Sequence, residues 1–408
     1  MFRTLAAAAG LALLLTAPAE ARTFRIRPGP AAQTQLQTAL IEARPGDNVR
    51  LARGRFELTA GISLDIDRVS IRGEGPDKSI LSFTGQTSGA EGLLITADDV
   101  VLRDFAVENA RGDGIKSKDA DRITFLDLRV EWTRGPDPSN GAYGVYPVGS
   151  RDVLIDRVTV RGASDAGIYV GQSQNIIVRR SLAEFNVAGI EIENSINADV
   201  YDNVTRRNTG GILVFDLPGV PQTGGHSTRV FKNQITQNDT PNFAPAGNIV
   251  AGVPTGTGVI VMANRNVHIF ENDISENGTA NVIITAYRQE ITDPTYNALP
   301  RDIVIRNNQF GRGGFAPAGD FAALRSAGVP FGDIVWDGAT IFVAAGRPRD
   351  EPVRISVQDN RSTTNQPVNF LSLGLPVASS PIEDAQPDAT MPSKLVIPEP
   401  EPVRLSQD

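Results

Sequence analysis

The sequence predicts an all-β fold in which one chain winds into a single-stranded parallel β-helix, a solenoid of about ten coils with an N-terminal helical cap. Three observations predict this fold. Glycine-anchored segments recur about every 22 residues, short strands alternate apolar and polar residues, and no helical segment of ten or more residues separates the repeats. The missing helices exclude strand–helix–strand units and the doubly wound sheets that such units build.

The repeat is defined by its anchor residues. The anchors are Gly92, Gly114, Gly144, Gly167, Gly189, Gly211, Gly258 and Asn281, with spacings of 22, 30, 23, 22, 22, 47 and 23 residues. The two long spacings are one period plus an insertion, which places loops at about 131–143 and at 217–227 together with 238–256. A coil of this size, built from two or three short strands, is expected to add roughly 4.8 Å to the solenoid axis.

Asparagines recur at the ends of the predicted strands. Five of them lie three residues after a buried Val or Ile, and two more precede anchor glycines: Asn203, Asn233, Asn272, Asn308 and Asn360, then Asn186 and Asn208. Asparagine tolerates left-handed backbone and hydrogen-bonds to neighbouring peptide groups. Stacked amides are therefore predicted to form ladders at the corners of the coils.

The N-terminus is typical of an export signal. Arg3 precedes a short apolar run over residues 5–15, and small residues at 19 and 21 form a cleavage site. Residues 1–21 are therefore predicted to be removed, and the mature protein is expected in the periplasm or outside the cell. The apolar run is too short to span a membrane, and no membrane insertion is predicted.

Three further regions follow the predicted signal. Residues 22–60 form the cap region, in which Leu36 and Leu40 recur at helical spacing before a Pro-Gly stop. Residues 61–374 form the β-helix. Residues 375–408 are rich in proline and acidic residues, so this segment is predicted to be a disordered tail.

Two stretches resemble known proteins. The cap with Pro45-Gly46-Asp47, followed by glycine-anchored coils, resembles the pectate-lyase-like right-handed β-helix superfamily. The run over about 135–220, with NGAYGVYPV, DAGIYVGQSQNIIVR, AGIEIENS and GGILVFDLPG, is similar to a family of exported bacterial parallel β-helix repeat proteins. The resemblance implies a right-handed solenoid in an exported protein, and it implies no particular reaction.

Composition excludes several classes of function. The chain has no Cys, which excludes disulfides, thiolate metal sites and a Cys nucleophile, and its two His leave little room for zinc chemistry. The formal net charge of −8 argues against nonspecific binding to nucleic acid or anionic membranes. The oligomeric state is left open.

The candidate catalytic and binding residues lie on one face of the predicted coils. The second and fourth residues after each anchor are expected to point outward and to stack on successive coils. The catalytic candidates are Tyr169, Lys116, Tyr143 and Glu191; the substrate-binding candidates are Asp113, Tyr146, Asp165, Gln172, Glu193, Asn194 and Asp216. Because loops on one face of a solenoid usually wall a groove, an extended, acidic polysaccharide is the predicted ligand.

Each candidate also has a plainer interpretation. If the side chains of Glu191 and Glu193 are parallel, their carboxyls are roughly 6–7 Å apart, near the spacing of the two carboxylates in an inverting glycosidase. Alternatively, the two glutamates only form a solvated strand face. Asp165 and Glu191 could instead hold Ca²⁺, the one cofactor considered. The tyrosines could stack on sugar rings or pack as an aromatic ladder.

Two functions from different classes follow. In a polyuronate lyase or C5-epimerase, Lys116 or Ca²⁺ would neutralise the sugar carboxylate, and Tyr169 or Tyr143 would act as base if a cation lowered its pKa. This reading is placed before a glycoside hydrolase, although the Asp-Pro-His-Asp motif of alginate epimerases and the Gly-His-Gly of polygalacturonases are missing. The alternative is a noncatalytic carbohydrate-binding or scaffold protein of the cell envelope.

Overall fold

The structure, a computed structural model, describes residues 21–406. The predicted export signal lies outside these residues, apart from Ala21. Within them the chain forms a right-handed parallel β-helix whose three sheets contain 12, 11 and 11 strands. The predicted fold class is confirmed, and each of the eleven complete coils contributes one strand to each sheet, preceded by one additional strand of sheet 1, Thr23–Ile26.

Strands of the three sheets follow one another in turn along the chain. Sheet 1 comprises Thr23–Ile26, Asn48–Leu51, Ser70–Arg72, Val101–Arg103, Thr124–Leu126, Arg151–Asp156, Gln174–Arg179, Ile196–Tyr201, His226–Phe231, Arg265–Phe270, Arg301–Arg306 and Ile355–Gln358. Sheet 2, which carries the anchors, comprises Ala60–Leu64, Ser88–Ile95, Ile115–Lys118, Tyr143–Val148, Ala166–Gly171, Ala188–Glu193, Gly210–Phe215, Thr257–Met262, Ala280–Thr285, Ile334–Trp336 and Phe370–Ser372. Sheet 3 comprises Gly54–Glu57, Ser79–Ser82, Ala106–Glu108, Arg129–Glu131, Thr159–Arg161, Leu182–Glu184, Val204–Arg206, Gln234–Thr236, Asp273–Ser275, Gln309–Phe310 and Arg361–Ser362.

A few elements lie outside the three sheets. Ile341–Ala344 and Arg347–Asp350 form an antiparallel hairpin. The α-helices of residues 21–406 are α1 (Ala32–Glu42) and α2 (Asp320–Ser326), and the 3₁₀ helices are Ile249–Gly252 and Ile382–Asp384. In this part of the chain no helix is long and apolar enough to cross a bilayer.

The anchor glycines recur because successive coils approach too closely there for a side chain. A Cβ on Gly189 would lie 2.5 Å from the carbonyl oxygen of Gly211, and a Cβ on Gly211 would lie 2.5 Å from that of Gly258. The other glycine anchors face the next anchor's carbonyl oxygen at 2.3 to 2.9 Å: Gly92, Gly114, Gly144, Gly167 and Gly258. Glycine therefore recurs about every 22 residues because the same close backbone contact repeats along sheet 2.

Both asparagine ladders form inside the coil corners. The Asn203 backbone N–H donates to Asn233 Oδ1 at 3.0 Å, and the same bond links Asn233 to Asn272, Asn272 to Asn308 and Asn308 to Asn360. The second ladder runs from Asn186 through Asn208 and continues to Asn238 and Asn277. These side-chain amides form hydrogen bonds with buried backbone groups at the corners, so the asparagines have a structural role.

The solenoid begins earlier than residue 61. Thr23–Ile26 already pairs with Asn48–Leu51 in sheet 1, and Gly54–Glu57 opens sheet 3. Helix α1 lies between these first strands and buries Leu36 and Leu40 in the end of the core. The cap region is thus part of the first coil, with α1 covering its open end.

The C-terminal segment differs from its prediction as a disordered tail. Its first residues, which include Leu375 and Ile382, pack on the outward face of sheet 2, and residues 394–406 lie on the outside of sheet 1, where Ile397 and Leu405 are buried. Glu399 forms ion pairs with Arg229 and Arg306 at 3.6 and 2.5 Å. Proline disfavours helix but suits an extended strap, and the acidic residues meet arginines of sheet 1. Composition alone does not reveal these contacts.

Candidate functional site

The candidate residues lie on the outward face of sheet 2, beneath loops. Tyr169, Glu191, Leu213 and Ile260 follow one another in register across adjacent strands. Their apolar members belong to a second hydrophobic core, separate from the solenoid interior, that the loops complete. The face was expected to be open to solvent, and it is instead largely covered.

Two loops cover this face. The loop over residues 237–256 buries Val250 and Val253 in the second core and brings Asn248 Nδ2 to Asp165 Oδ2 at 3.0 Å. The loop over residues 286–300 brings the Tyr296 hydroxyl to the Asp216 carbonyl oxygen, to which it donates at 2.6 Å. The first loop was predicted from the long anchor spacing. The second was missed because the repeat becomes irregular soon after it.

Three carboxyl groups meet under the first loop, and we call Asp165, Glu191 and Glu193 the acid cluster. They are 5%, 1% and 6% exposed, so the solvated strand face considered for the two glutamates is wrong. The charge of Glu193 acts on Glu191, but within the described residues neither carboxyl oxygen of Glu191 has a hydrogen-bond partner.

Few donors compensate the acid cluster. The Tyr169 hydroxyl donates to Glu193 Oε1 at 2.7 Å, and the Tyr143 hydroxyl lies 3.4 Å from Asp165 Oδ2. Within residues 21–406, neither carboxyl oxygen of Glu191 receives a hydrogen bond from a donor group. No Lys, Arg or His in the same range forms an ion pair with any of the three carboxyls.

Burial therefore sets the protonation of the acid cluster. Desolvation, followed by the negative charge of Glu193, raises the pKa of Asp165 to about 7. Desolvation likewise raises the pKa of Glu193 to about 7, and it raises the pKa of the deeper Glu191 well above its ordinary value. Near neutral pH Asp165 and Glu193 are each divided between the protonated and the ionised form, the condition in which a carboxyl can act as an acid or a base.

The tyrosines pack together beside the acid cluster. The ring centroids of Tyr143, Tyr146 and Tyr169 lie 4.5 to 4.9 Å apart. Burial and the neighbouring carboxylates raise the pKa of Tyr169 and of Tyr143 far above the usual phenol value. Each phenol serves as a hydrogen-bond donor in this structure, so the predicted base role of Tyr169 or Tyr143 would require its pKa to be lowered.

Lys116 lies at the half-exposed margin of the face rather than beside Tyr169. Its Nζ lies 4.7 Å from the centre of the Tyr146 ring, 3.6 Å from Asp113 and 3.7 Å from Glu91. Burial raises the pKa of Asp113 to about 6 despite this lysine. Lys116, the cation that would lower the pKa of a tyrosine base, thus interacts with Asp113, Glu91 and the Tyr146 ring and not with Tyr169.

The remaining candidates stand at the turn after each strand of sheet 2. Asn194 Nδ2 donates to Asp216 Oδ1 at 3.0 Å, and Asp216 also accepts from the Gly225 backbone at 2.7 Å. Asn194 is therefore a corner residue, whereas burial leaves Asp216 with a pKa of about 6. Gln172 is half-buried at the same turn, and its backbone N–H donates to the Glu193 carbonyl at 2.9 Å.

The calcium site that the sequence left open would use Asp165 and Glu191, both of which are buried in the acid cluster. Across residues 21–406, no group of three or more His, Asp or Glu side chains is arranged to hold a metal ion.

An apolar cavity of about 550 Å³ continues the face toward later coils. Its floor consists of Phe215, Ile260, Met262 and Ile283 from sheet 2. Residues 249–255 of the first covering loop form one wall, so this loop separates the cavity from the acid cluster.

The acid cluster predicts an unusual dependence of stability on pH. Because the pKa values of Asp165 and Glu193 are raised to about 7, the folded protein keeps protons that the unfolded chain has already lost. The stability contribution is therefore complete at about pH 4 and is lost as the pH rises through about 7. We expect Glu191→Gln to raise the free energy of unfolding at pH 8 by about 1–3 kcal/mol, since the amide is neutral at every pH and the folded protein no longer has to keep Glu191 protonated.

Urea unfolding at several pH values measures this effect. The gain of Glu191→Gln should disappear toward pH 4, where the wild-type cluster is fully protonated. A variant whose stability falls with pH as steeply as that of the wild type would contradict the assignment.

Comparisons with known proteins agree on the architecture. A sequence-family profile described as a right-handed β-helix region matches residues 91–242. A search of curated protein sequences finds no significant match. The class defined by the fold is therefore a right-handed parallel β-helix protein.

Several solved structures share this fold at low sequence identity. The A-module of a mannuronan C-5 epimerase from Azotobacter vinelandii is 15% identical with a TM-score of 0.56, over 83% of this chain and 93% of that one. A DFA-IIIase from Arthrobacter chlorophenolicus is 11% identical with a TM-score of 0.56, over 85% and 90%. The tailspike of an Escherichia coli bacteriophage, solved with a pentasaccharide, is 12% identical with a TM-score of 0.51, over 84% and 62%. At these identities the likeness establishes the fold alone.

Proposed function

We propose that the protein binds a carbohydrate chain across the outward face of sheet 2 and cleaves a glycosidic bond through its acid cluster. The observation that carries this proposal is the burial of three carboxyls, Asp165, Glu191 and Glu193, without a cationic partner in the described chain. Burying a carboxyl in this way is destabilising, so a fold retains such a group where its protonation is used.

Asp165 and Glu193 are suited to proton transfer. Both have a pKa of about 7, and each lies against a tyrosine hydroxyl that orients it. Glu191 lies deeper than these two groups, and burial raises its pKa well above the ordinary value. One carboxyl can then protonate the glycosidic oxygen while the other takes a proton from water, the division of labour that glycoside hydrolysis needs.

The surroundings of the acid cluster suit a sugar chain. Tyr143 and Tyr146 are half-buried at its margin and offer ring surface, while Lys116 and Asp113 offer hydrogen-bonding groups for hydroxyls. The side-chain amide of Asn248, in the covering loop, donates a hydrogen bond to Asp165 Oδ2. A sugar hydroxyl can replace this amide as the donor. A ligand must therefore displace part of the loop over residues 237–256.

Hydrolysis is favoured over the lyase or epimerase reaction that the sequence placed first. A tyrosine base requires a lowered pKa, whereas the environment of Tyr169 raises it. The likeness to carbohydrate-bound and carbohydrate-active β-helices, a tailspike with a pentasaccharide among them, supports the class of ligand.

A noncatalytic carbohydrate-binding protein is the second candidate. It is favoured by one observation, the nearly complete burial of Glu191 and Glu193 beneath the loop. Under this function the cluster would only order the face that the ligand contacts.

A glycan panel separates the two candidates. The purified protein is incubated with neutral and acidic oligosaccharides, and binding, new reducing ends, unsaturated uronates and epimerised sugars are measured. Hydrolysis predicts binding of at least one glycan with release of reducing ends, lost in Asp165→Asn. Binding without any turnover would overturn the catalytic function and leave the binding function, and no binding to any glycan would overturn both.

We also propose that the protein is exported to the periplasm or the exterior of the cell, on the N-terminal sequence pattern. Fractionation of cells that express the full chain checks this location. A protein found uncleaved in the cytoplasm would contradict it.

A further inference from the structure

A polar pocket, separate from the apolar cavity, lies where sheet 2 turns toward sheet 1. It has a volume of about 320 Å³, and three arginines line it together with Asp216 and Glu351: Arg265, Arg301 and Arg349. Arg265 and Arg301 are paired in register on adjacent strands of sheet 1, so their Cα atoms are about 4.8 Å apart. Like charges at this separation repel unless an anion lies between them.

The guanidinium groups of Arg265 and Arg301 have no protein partner. In the described part of the chain neither group forms an ion pair or a side-chain hydrogen bond, and the Nε of Arg301 is buried without an acceptor. Burial and the charge of Arg265 lower the pKa of Arg301. A buried donor without an acceptor is destabilising, which indicates that a ligand supplies the missing acceptor.

The carboxylates around these two arginines are already engaged. Glu351 Oε1 accepts from Arg349 Nη2 at 2.9 Å, and Asp302 pairs with Arg354 at 2.5 Å. Asp216 accepts from the Gly225 backbone and from Asn194. The pocket thus keeps two arginines whose donors are free for an external anion.

We propose that this pocket binds an oxyanion group, a carboxylate or a sulfate, carried by a sugar of the glycan chain. The proposal rests on the proposed function and names the chemical class of its ligand. Asp216 connects the two places, because it lines the arginine pocket and its charge acts on Glu193 of the acid cluster. The acid cluster repels an anion, so the acidic group of a bound chain is placed at the arginines.

The chemistry of the pocket fits such a group. Arginine presents a planar fork of donors that matches a carboxylate or sulfate edge, and two adjacent forks can hold one oxyanion from both sides. Arg349 is held in place by the carbonyl oxygens of Pro294 and Tyr296 at 3.1 and 3.3 Å, and it closes the pocket. Thr295 and Asn297 line the same space and can bond to neighbouring hydroxyls.

Calorimetry with small probes tests the pocket without a whole glycan. Glucuronate, inorganic sulfate and glucose are titrated at low ionic strength into the wild type, Arg301→Gln and Arg265→Gln. The control is Arg25→Gln, an exposed arginine at the far end of sheet 1 that removes the same charge. We expect an oxyanion probe to bind and glucose not to bind, with roughly tenfold or greater weakening in both pocket variants and none in the control.

The outcomes separate this inference from the proposed function. Preference for glucuronate identifies a uronate as the source of the oxyanion, and preference for sulfate identifies a sulfated sugar. Equal binding of the oxyanion by the wild type and Arg301→Gln, or no binding by either, overturns the inference even if glycans bind to sheet 2. Oxyanion binding that depends on Arg301 in a protein that binds no oligosaccharide keeps the pocket and overturns the proposed function. Circular dichroism checks that each variant is folded.

Discussion

Replacing Glu193 by Gln, or Asp165 by Asn, is expected to lower glycan turnover by about 10²–10⁴-fold while leaving glycan binding largely intact. Both groups have a pKa of about 7 and lie 5–6% exposed at the edge of the covering loop, so each substitution removes a proton donor or acceptor without creating a cavity. Glu42→Gln, on the exposed face of helix α1, is the matched control and should turn over normally. Steady-state kinetics on the glycan identified by the panel gives the result.

Tyr169→Phe refines this expectation through the pH profile. The hydrogen bond from Tyr169 lowers the pKa of Glu193, so its loss should raise that pKa and move the corresponding limb of the rate profile to higher pH. A wild-type profile in Tyr169→Phe, together with normal turnover in Glu193→Gln, would show that the acid cluster takes no part in catalysis.

Gly189→Ala is expected to lower the free energy of unfolding by about 1–3 kcal/mol or to prevent folding. The new Cβ would lie 2.5 Å from the Gly211 carbonyl oxygen and 3.3 Å from the Cβ of Thr205, and the backbone at this contact cannot move without shifting two coils. Gly85→Ala is the matched control, because its Cβ would meet only Thr59 Cγ2 at 3.8 Å. Chemical unfolding of the two variants measures the difference.

If Gly189→Ala and Gly85→Ala have the same free energy of unfolding, close backbone approach is not the reason that the anchors are glycines. Where Gly189→Ala yields no soluble protein, hydrogen exchange of Gly211→Ala, whose Cβ faces Gly258 in the same way, gives a second measurement. Protection should fall in the coils on both sides of the substitution.

The solenoid was predictable because its strongest interactions repeat. Each anchor such as Gly189 makes the same close contact, and each ladder amide such as Asn233 makes the same bond, so both leave a period in the sequence. The direction of Tyr169 and Glu191 followed from strand alternation in the same way. These features depend on local spacing alone.

The burial of the site was not predictable from that spacing. Asn248 reaches Asp165 across 83 residues, and Tyr296 reaches Asp216 across 80, through loops that have no repeat. Without these contacts Glu191 looks like an exposed strand residue and Tyr169 like a base beside a lysine. Desolvation beneath the loops raises the pKa of the carboxyls and of the phenols, which strand alternation alone does not reveal.

The arginine pocket was missed for a related reason. Arg265 and Arg301 are register neighbours, but the inserted loop over residues 286–300 separates them by more than one period. The covering C-terminal strap was missed because a proline-rich, acidic composition is shared by disordered tails and by extended segments that pair with arginines.

A crystal structure of Asp165→Asn with the oligosaccharide selected by the panel tests the central claim most directly. The account predicts a sugar ring against Glu193 and Tyr143, the loop over residues 237–256 displaced, and the Asn248 amide no longer on residue 165. An oligosaccharide bound on sheet 1 or sheet 3, with that loop unmoved and the acid cluster still covered, would contradict it.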